Sequence, residues 1–131
     1  MKHPRLRLRG RGDRGAAEAA LSLAATFVLV LAVVQVGLWA HAQHRAQAVA
    51  EQSLAALRGA DATTATARVR AEQARTDLGG HLLRDVDIDL QRGPARARVQ
   101  VRAEVTALLP GWAPSVAAEL SGPVETAGSP P

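Results

Sequence analysis

The chain has no cysteine and no tyrosine, and it carries a single phenylalanine, two tryptophans and one lysine among its 131 residues. Without cysteine there is no disulfide to hold a small exported domain and no thiolate nucleophile, so whatever folds must do so by packing or by joining partners. With so few aromatics, an interior has to be built mainly from Ala, Val and Leu. A chain of this length then has room for one membrane segment and one small domain of marginal independent stability. Charge is also missing over a long stretch: between Glu18 and Arg45 there is no Asp, Glu, Lys or Arg, a gap of 26 residues.

That gap is long enough to cross a membrane. Its densest part is "TFVLVLAVVQVGLW", Thr26 to Trp39. As a helix the whole run extends about 39 Å at about 1.5 Å per residue, while a bilayer core needs only about 20 residues. The excess can lie in the interface or continue as helix beyond it, and Trp39 suits the boundary, where an indole prefers to sit.

The formal net charge is +4, and all of it comes from the first 18 residues. Lys2, Arg5, Arg7, Arg9, Arg11 and Arg14 stand there against Asp13 and Glu18, while residues 19–131 are formally neutral. Short basic flanks resist translocation, so the arginines anchor the topology, with the N-terminus cytoplasmic and the C-terminus extracytoplasmic. A basic nucleic-acid arm is the competing reading. The charge abuts a span so directly that membrane lipid is the expected partner and nucleic acid is not, and no small-molecule substrate is expected.

After the span, "AHAQHRAQAVAEQSLAALRG" (Ala40 to Gly59) has no proline and no glycine before Gly59, a good helix stop. Ala42, Ala46, Val49, Ser53 and Leu57 recur at three- and four-residue steps, which marks one small or apolar face able to hold a sheet or a neighbouring helix. A second, shorter helix is expected from about Ala62 to Leu78, with Asp61 as N-cap, Gly79-Gly80 as terminator and a thin apolar face of Val69, Ala71, Ala74 and Leu78. The period then changes from helical to alternating. "DVDIDLQ" (Asp85 to Gln91) and "ARARVQVRAEVTA" (Ala95 to Ala107) read as two strands around the loop Arg92-Gly93-Pro94-Ala95. The expected register sets Ile88 opposite Val99 and Val86 opposite Val101, with Asp89 facing Arg98 and Asp85 facing Arg102. "SVAAELSG" (Ser115 to Gly122) reads as a third strand or as a short helix.

The expected fold class is therefore α+β: a long N-terminal transmembrane helix continuing into an amphipathic helix, then a small domain with a short helix and an antiparallel hairpin or sheet. The segments are a basic cytoplasmic leader at 1–18, a transmembrane helix at 19–42, a helical extension at 43–59, a small extracytoplasmic domain at 60–127 and a disordered tail at 128–131.

Chemistry-bearing patterns are sparse. Asp85, Asp87 and Asp89 resemble the opening of a calcium loop, but Leu90 stands where that loop needs glycine and Arg96 where it needs glutamate. His41 and His44 share a helical face without an evident third metal ligand. No serine has a histidine and an acid nearby in a recognisable motif, and no glycine-rich phosphate loop follows a strand. The chain is accordingly expected to be neither an enzyme nor a carrier of a metal or other cofactor. Gln35 is a polar group inside the run that lipid cannot satisfy, so it is a candidate for bonding to another helix. Ala16, Ala20 and Ala24 at four-residue steps form a small-residue surface on which helices approach closely.

The order of features, on "RGDRGAAEAALSLAATFVLVLAVVQVGLW" (Arg11 to Trp39) and "HRAQAVAEQSLAALRGA" (His44 to Ala60), resembles the TadE-like pilus-assembly proteins, the pseudopilins of tight-adherence (Flp-type) systems within the type IV pilin-like group. The closing "LLPGWAPSVAAELSGPVET" (Leu108 to Thr126) also looks like the end of actinobacterial members. The resemblance implies a pilin-like fold and cleavage after Gly15 by a prepilin peptidase, leaving Ala16 first. It also implies a helix-assembly role for Glu18, meeting a neighbouring subunit's N-terminal amine. In the family that glutamate is fifth in the mature chain, whereas here it is third, a difference of about 3 Å of rise and about 200° of rotation. Either the processing rule is relaxed here, or the chain keeps its leader as an anchored assembly factor. Three readings follow: a minor pilin or pseudopilin, a static single-pass scaffold of an envelope or secretion complex, and a secreted protein cut after Ala42 in Ala40-His41-Ala42.

Overall fold

A computed structural model describes residues 12–126. The basic residues Arg5, Arg7, Arg9 and Arg11 and the tail at 128–131 lie outside the described residues. The elements are helix α1 (Gly12–Arg58), helix α2 (Thr64–Ala74) and strands β1 (Leu83–Arg92), β2 (Arg96–Val105) and β3 (Ser115–Pro123). This is the expected α+β class: a long apolar helix, a short helix and a three-stranded antiparallel sheet in the order β1-β2-β3.

The chain divides into two compact units, one ending at Val34 and the other running from Gln35 to the C-terminus. In the first, α1 is exposed on all sides apart from partial cover at Leu31 and Ala32. α1 is long and apolar enough to cross a membrane.

In the second unit the small stripe of α1 is the core. Ala42, Ala46, Val49, Ser53 and Leu57 are all fully buried, as the four- and three-residue spacing requires. They join the inward face of the sheet, where Ile88, Val99, Val101 and Val116 alternate with exposed residues. Three alanines of α2 (Ala67, Ala71, Ala74) complete the core. Gly59 follows the last residue of α1, as its stop signal implied.

Four details of the fold correct the sequence reading. The N-cap of α2 is Thr63, not Asp61: its hydroxyl accepts from the Thr66 N–H at 3.1 Å while the Thr66 hydroxyl accepts from the Thr63 N–H, a reciprocal capping box that an aspartate two residues earlier cannot reach. Val69 is exposed, and Ala67 takes its place on the buried face. The helix widens into a single π-type turn at Arg75–Gly79, and Gly80, with φ +54°, ends it in a conformation that glycine adopts without strain. The hairpin register is shifted by two residues, so that Ile88 faces Val101, Leu90 faces Val99 and Asp87 faces Arg102.

The register shift has a local cause. The Gly93 N–H donates to the Arg96 carbonyl at 2.8 Å, which puts Pro94 and Ala95 at the tip. The expected register put Gly93 and Pro94 there, with proline second, where it is disfavoured; as first tip residue its fixed φ is already suitable. A shift of two leaves every side chain on its expected face. Asp85 does not face Arg102; it sits at φ 47° in an irregularity between Arg84 and Asp87, where one extra residue lets both Leu83 and Ile88 point inward. Arg98 instead lies 3.5 Å from Glu119 of β3, an exposed pair that adds little stability.

A helix surface and a ladder along the β3 edge

The residues singled out for assembly occupy the start of α1. Arg14, Gly15, Ala16, Glu18, Ala20 and Ala24 are all exposed. A Cβ built on Gly15 meets nothing within 4 Å. Because each residue turns the helix by about 100°, Glu18 lies about 160° around from Ala20. The carboxylate and the alanine stripe therefore face nearly opposite ways and serve different neighbours. Glu18 shares its side with Ser22 and Thr26, four and eight residues on, and the Thr26 hydroxyl donates back to the Ser22 carbonyl at 2.8 Å. That bond satisfies the Thr26 hydroxyl within the helix, so it is no obstacle to an apolar surrounding.

Gln35 behaves differently from the others. It is fully buried, and both ends of its amide are used inside the chain. Nε2 donates to the Thr106 carbonyl at 3.3 Å, and Oε1 accepts from the Leu108 N–H at 2.6 Å. Gln35 is thus turned into its own chain, where it holds the connection between β2 and β3.

Four residues on, Trp39 Nε1 donates to the Ser115 carbonyl at 3.1 Å, and four further Gln43 Nε2 donates to the Ala117 carbonyl at 2.8 Å. Ser115 and Ala117 are two apart in an edge strand, so their carbonyls point to the same side. The helix thereby occupies an edge that would otherwise be free to pair with another chain. The fastening continues at the end of α1, where Arg58 Nε donates to the Pro123 carbonyl at 2.7 Å and the Glu125 N–H donates to the Arg58 carbonyl at 2.9 Å. Arg92 of β1 donates to the Leu57 carbonyl, placing a cation at the negative end of the helix dipole. The Arg58 side chain lies against Gly122, where a Cβ would come within 3.1 Å of it and would require the arginine to give way by a few tenths of an ångström.

The sequence reading missed this ladder. Its signal was the spacing of Gln35, Trp39 and Gln43, three hydrogen-bond donors at four-residue steps beside the apolar stripe. The other chemistry-bearing patterns are placed as follows. His41 accepts from Arg45 Nε at 3.1 Å, His44 is exposed, and the aspartates of β1 point outward along the strand. Arg45 also donates to the Leu78 carbonyl at 2.9 Å, tying the π turn to α1.

No curated protein and no solved structure matches the chain significantly. Residues 15–54 match the family of TadE-like proteins. The match begins at the glycine that precedes the exposed alanine and glutamate, and it ends within the buried stripe of α1, before the closing segment compared with actinobacterial members. Over residues 15–54, within helix α1, the chain is similar to TadE-like proteins.

Proposed function

We propose that the chain is a single-pass membrane subunit, a minor pilin or pseudopilin, that contributes to building a pilus or secretion apparatus by packing its N-terminal helix against other subunits and performs no catalysis of its own. The TadE-like match supports pilus assembly. The observation that carries the reading is the exposed apolar surface of α1 from Leu21 to Val34.

The burial of Gln35 supports a span that begins and ends earlier than 19–42. Full burial on α1 begins at Gln35, after partial cover at Leu31 and Ala32, so the segment left mainly to lipid and neighbouring helices ends near Val34. Counting back about 20 residues for a bilayer core reaches about residue 15, not 19. Glu18 then lies about one turn inside the hydrocarbon edge. An ionised carboxylate there is costly without a partner, which favours assemblies that bring a cation to it. Cleavage after Gly15 would create one in the Ala16 amine of a neighbouring copy. The basic leader keeps the N-terminus cytoplasmic, and the α+β unit is extracytoplasmic.

A secreted product beginning at Gln43 fits less well. It would lose Gln35 and Trp39, which hold the β2–β3 connection and the β3 edge, and it would cut beside the fully buried Ala42.

N-terminal sequencing of protein recovered from membrane and cell-surface fractions tests the reading. A start at Ala16 is expected; Met1 would make the chain a static anchored scaffold, and Gln43 a secreted protein. Glu18→Gln is expected to abolish incorporation into the assembly while leaving the amount in the membrane fraction unchanged. Normal incorporation of that variant would remove Glu18 from the mechanism.

A further inference from the structure

The connection between β2 and β3, residues 106–114, reads "TALLPGWAP" and contains no charged side chain. Its tip is exposed and apolar: Leu108 is 40% and Trp112 45% accessible. Among the described residues from Gln35 onward, the exposed large hydrophobics are Val36, Trp39, Val69, Leu108 and Trp112. All but Val69 belong either to this connection or to the helical turn that begins at Gln35. Both tryptophans of the chain are in that group.

The position of the connection along α1 is set by bonds already described. Gln35 binds the backbone of Thr106 and Leu108, and Trp39 binds that of Ser115. Gln35 is the first residue of the second unit, so the connection is fastened at that unit's beginning.

The backbone of the connection is partly satisfied within the chain. An unpaired N–H is the main cost of moving a loop toward lipid. Here the Thr106 N–H donates to Leu82, the Leu108 N–H to Gln35 and the Trp112 N–H to Leu109, while the N–H groups of Ala107, Leu109, Gly111 and Ala113 have no partner among the described residues and need water or headgroup oxygens, which suits the interfacial layer and not the hydrocarbon. Pro110 and Pro114 have no N–H to satisfy. Indole rings favour the headgroup level, where a flat apolar body meets polar groups at its rim.

We propose that residues 107–113, together with Trp39, insert into the interfacial layer of the bilayer and dock the α+β unit on the lipid surface. This rests on the reading that α1 crosses the membrane up to about Val34. Lipid is the occupant because Val36 and Trp39 follow directly in sequence on the exposed apolar part of α1, and the patch carries no charge and holds both indoles.

The absence of cysteine makes the test direct. Full-length chain is reconstituted at low density into phosphatidylcholine–phosphatidylglycerol vesicles with one spin-labelled cysteine at a time: Ala113→Cys in the connection, Val30→Cys in the span and Ala65→Cys on the exposed face of α2. Depth is read from relative collision with oxygen and with a water-soluble nickel chelate. The label at 113 is expected to show an oxygen-to-nickel ratio clearly above that at 65 and below that at 30. A ratio at 113 equal to that at 65, with 30 deep, would overturn the docking and leave the span intact. Shielding of 113 from both reagents would show a protein contact in place of lipid and overturn it as well. A water-like ratio at 30 would remove both the span and the docking that depends on it.

Discussion

Leu57→Ala is expected to destabilise the α+β unit by about 2–5 kcal/mol, the range for truncating a buried leucine. Leu57 is fully buried in the last turn of α1, against the sheet. Its core neighbours are mostly alanine and valine, so few side chains are long enough to reach into the space a shortened residue leaves. Domains of this size have only about 5–15 kcal/mol in total, which makes one such cavity a large share. The check is urea unfolding of the full chain in detergent, followed by tryptophan emission, because helical signal from the apolar half of α1 survives the loss of the α+β unit. A change under about 1 kcal/mol would mean that the core closes around the gap, contrary to the packing described.

Gln35→Leu is expected to act more locally. The substitution keeps the bulk of the side chain but strands the Leu108 N–H and the Thr106 carbonyl. A buried polar group left without its partner costs about 1–3 kcal/mol. Amide exchange at Leu108 should accelerate by roughly 5–150-fold, the equivalent of that range, and proteolysis should become concentrated in residues 106–114. The strands should keep their protection, because their ladders do not involve Gln35. Unchanged exchange at Leu108 would show that the connection is held by something other than this amide.

What could be read from the sequence was whatever is periodic. The stripe of Ala42, Ala46, Val49, Ser53 and Leu57 and the alternation of Ile88, Leu90, Val99 and Val101 state which face is buried, and the structure buries those faces. Choices between near-equal local alternatives were not readable from periodicity. The tip of the hairpin could be centred on Gly93-Pro94 or on Pro94-Ala95, and either leaves the same faces inward. Asp61 and Thr63 are both good caps by type, and the Thr66 hydroxyl, which answers Thr63 alone, decides between them. Gln35 shows the opposite limit. Its polarity in an apolar run signalled a partner, but the partner is backbone 71 and 73 residues away, with nothing in its own side chains to mark it. For the helix surface, sequence alone placed Glu18 and the alanines together by proximity, whereas a regular helix sets them on nearly opposite sides.

The ladder along β3 has a mechanical consequence. Its fastenings ascend in step on both elements, from Gln35 with Thr106, through Trp39 with Ser115 and Gln43 with Ala117, to Arg58 with Pro123. They are spread over about 35 Å of helix. A pull along the axis of α1 therefore loads them together in shear, while a force across the axis would open them one after another from an end. A subunit held through its helix would transmit tension into its sheet along the direction in which the join is strongest.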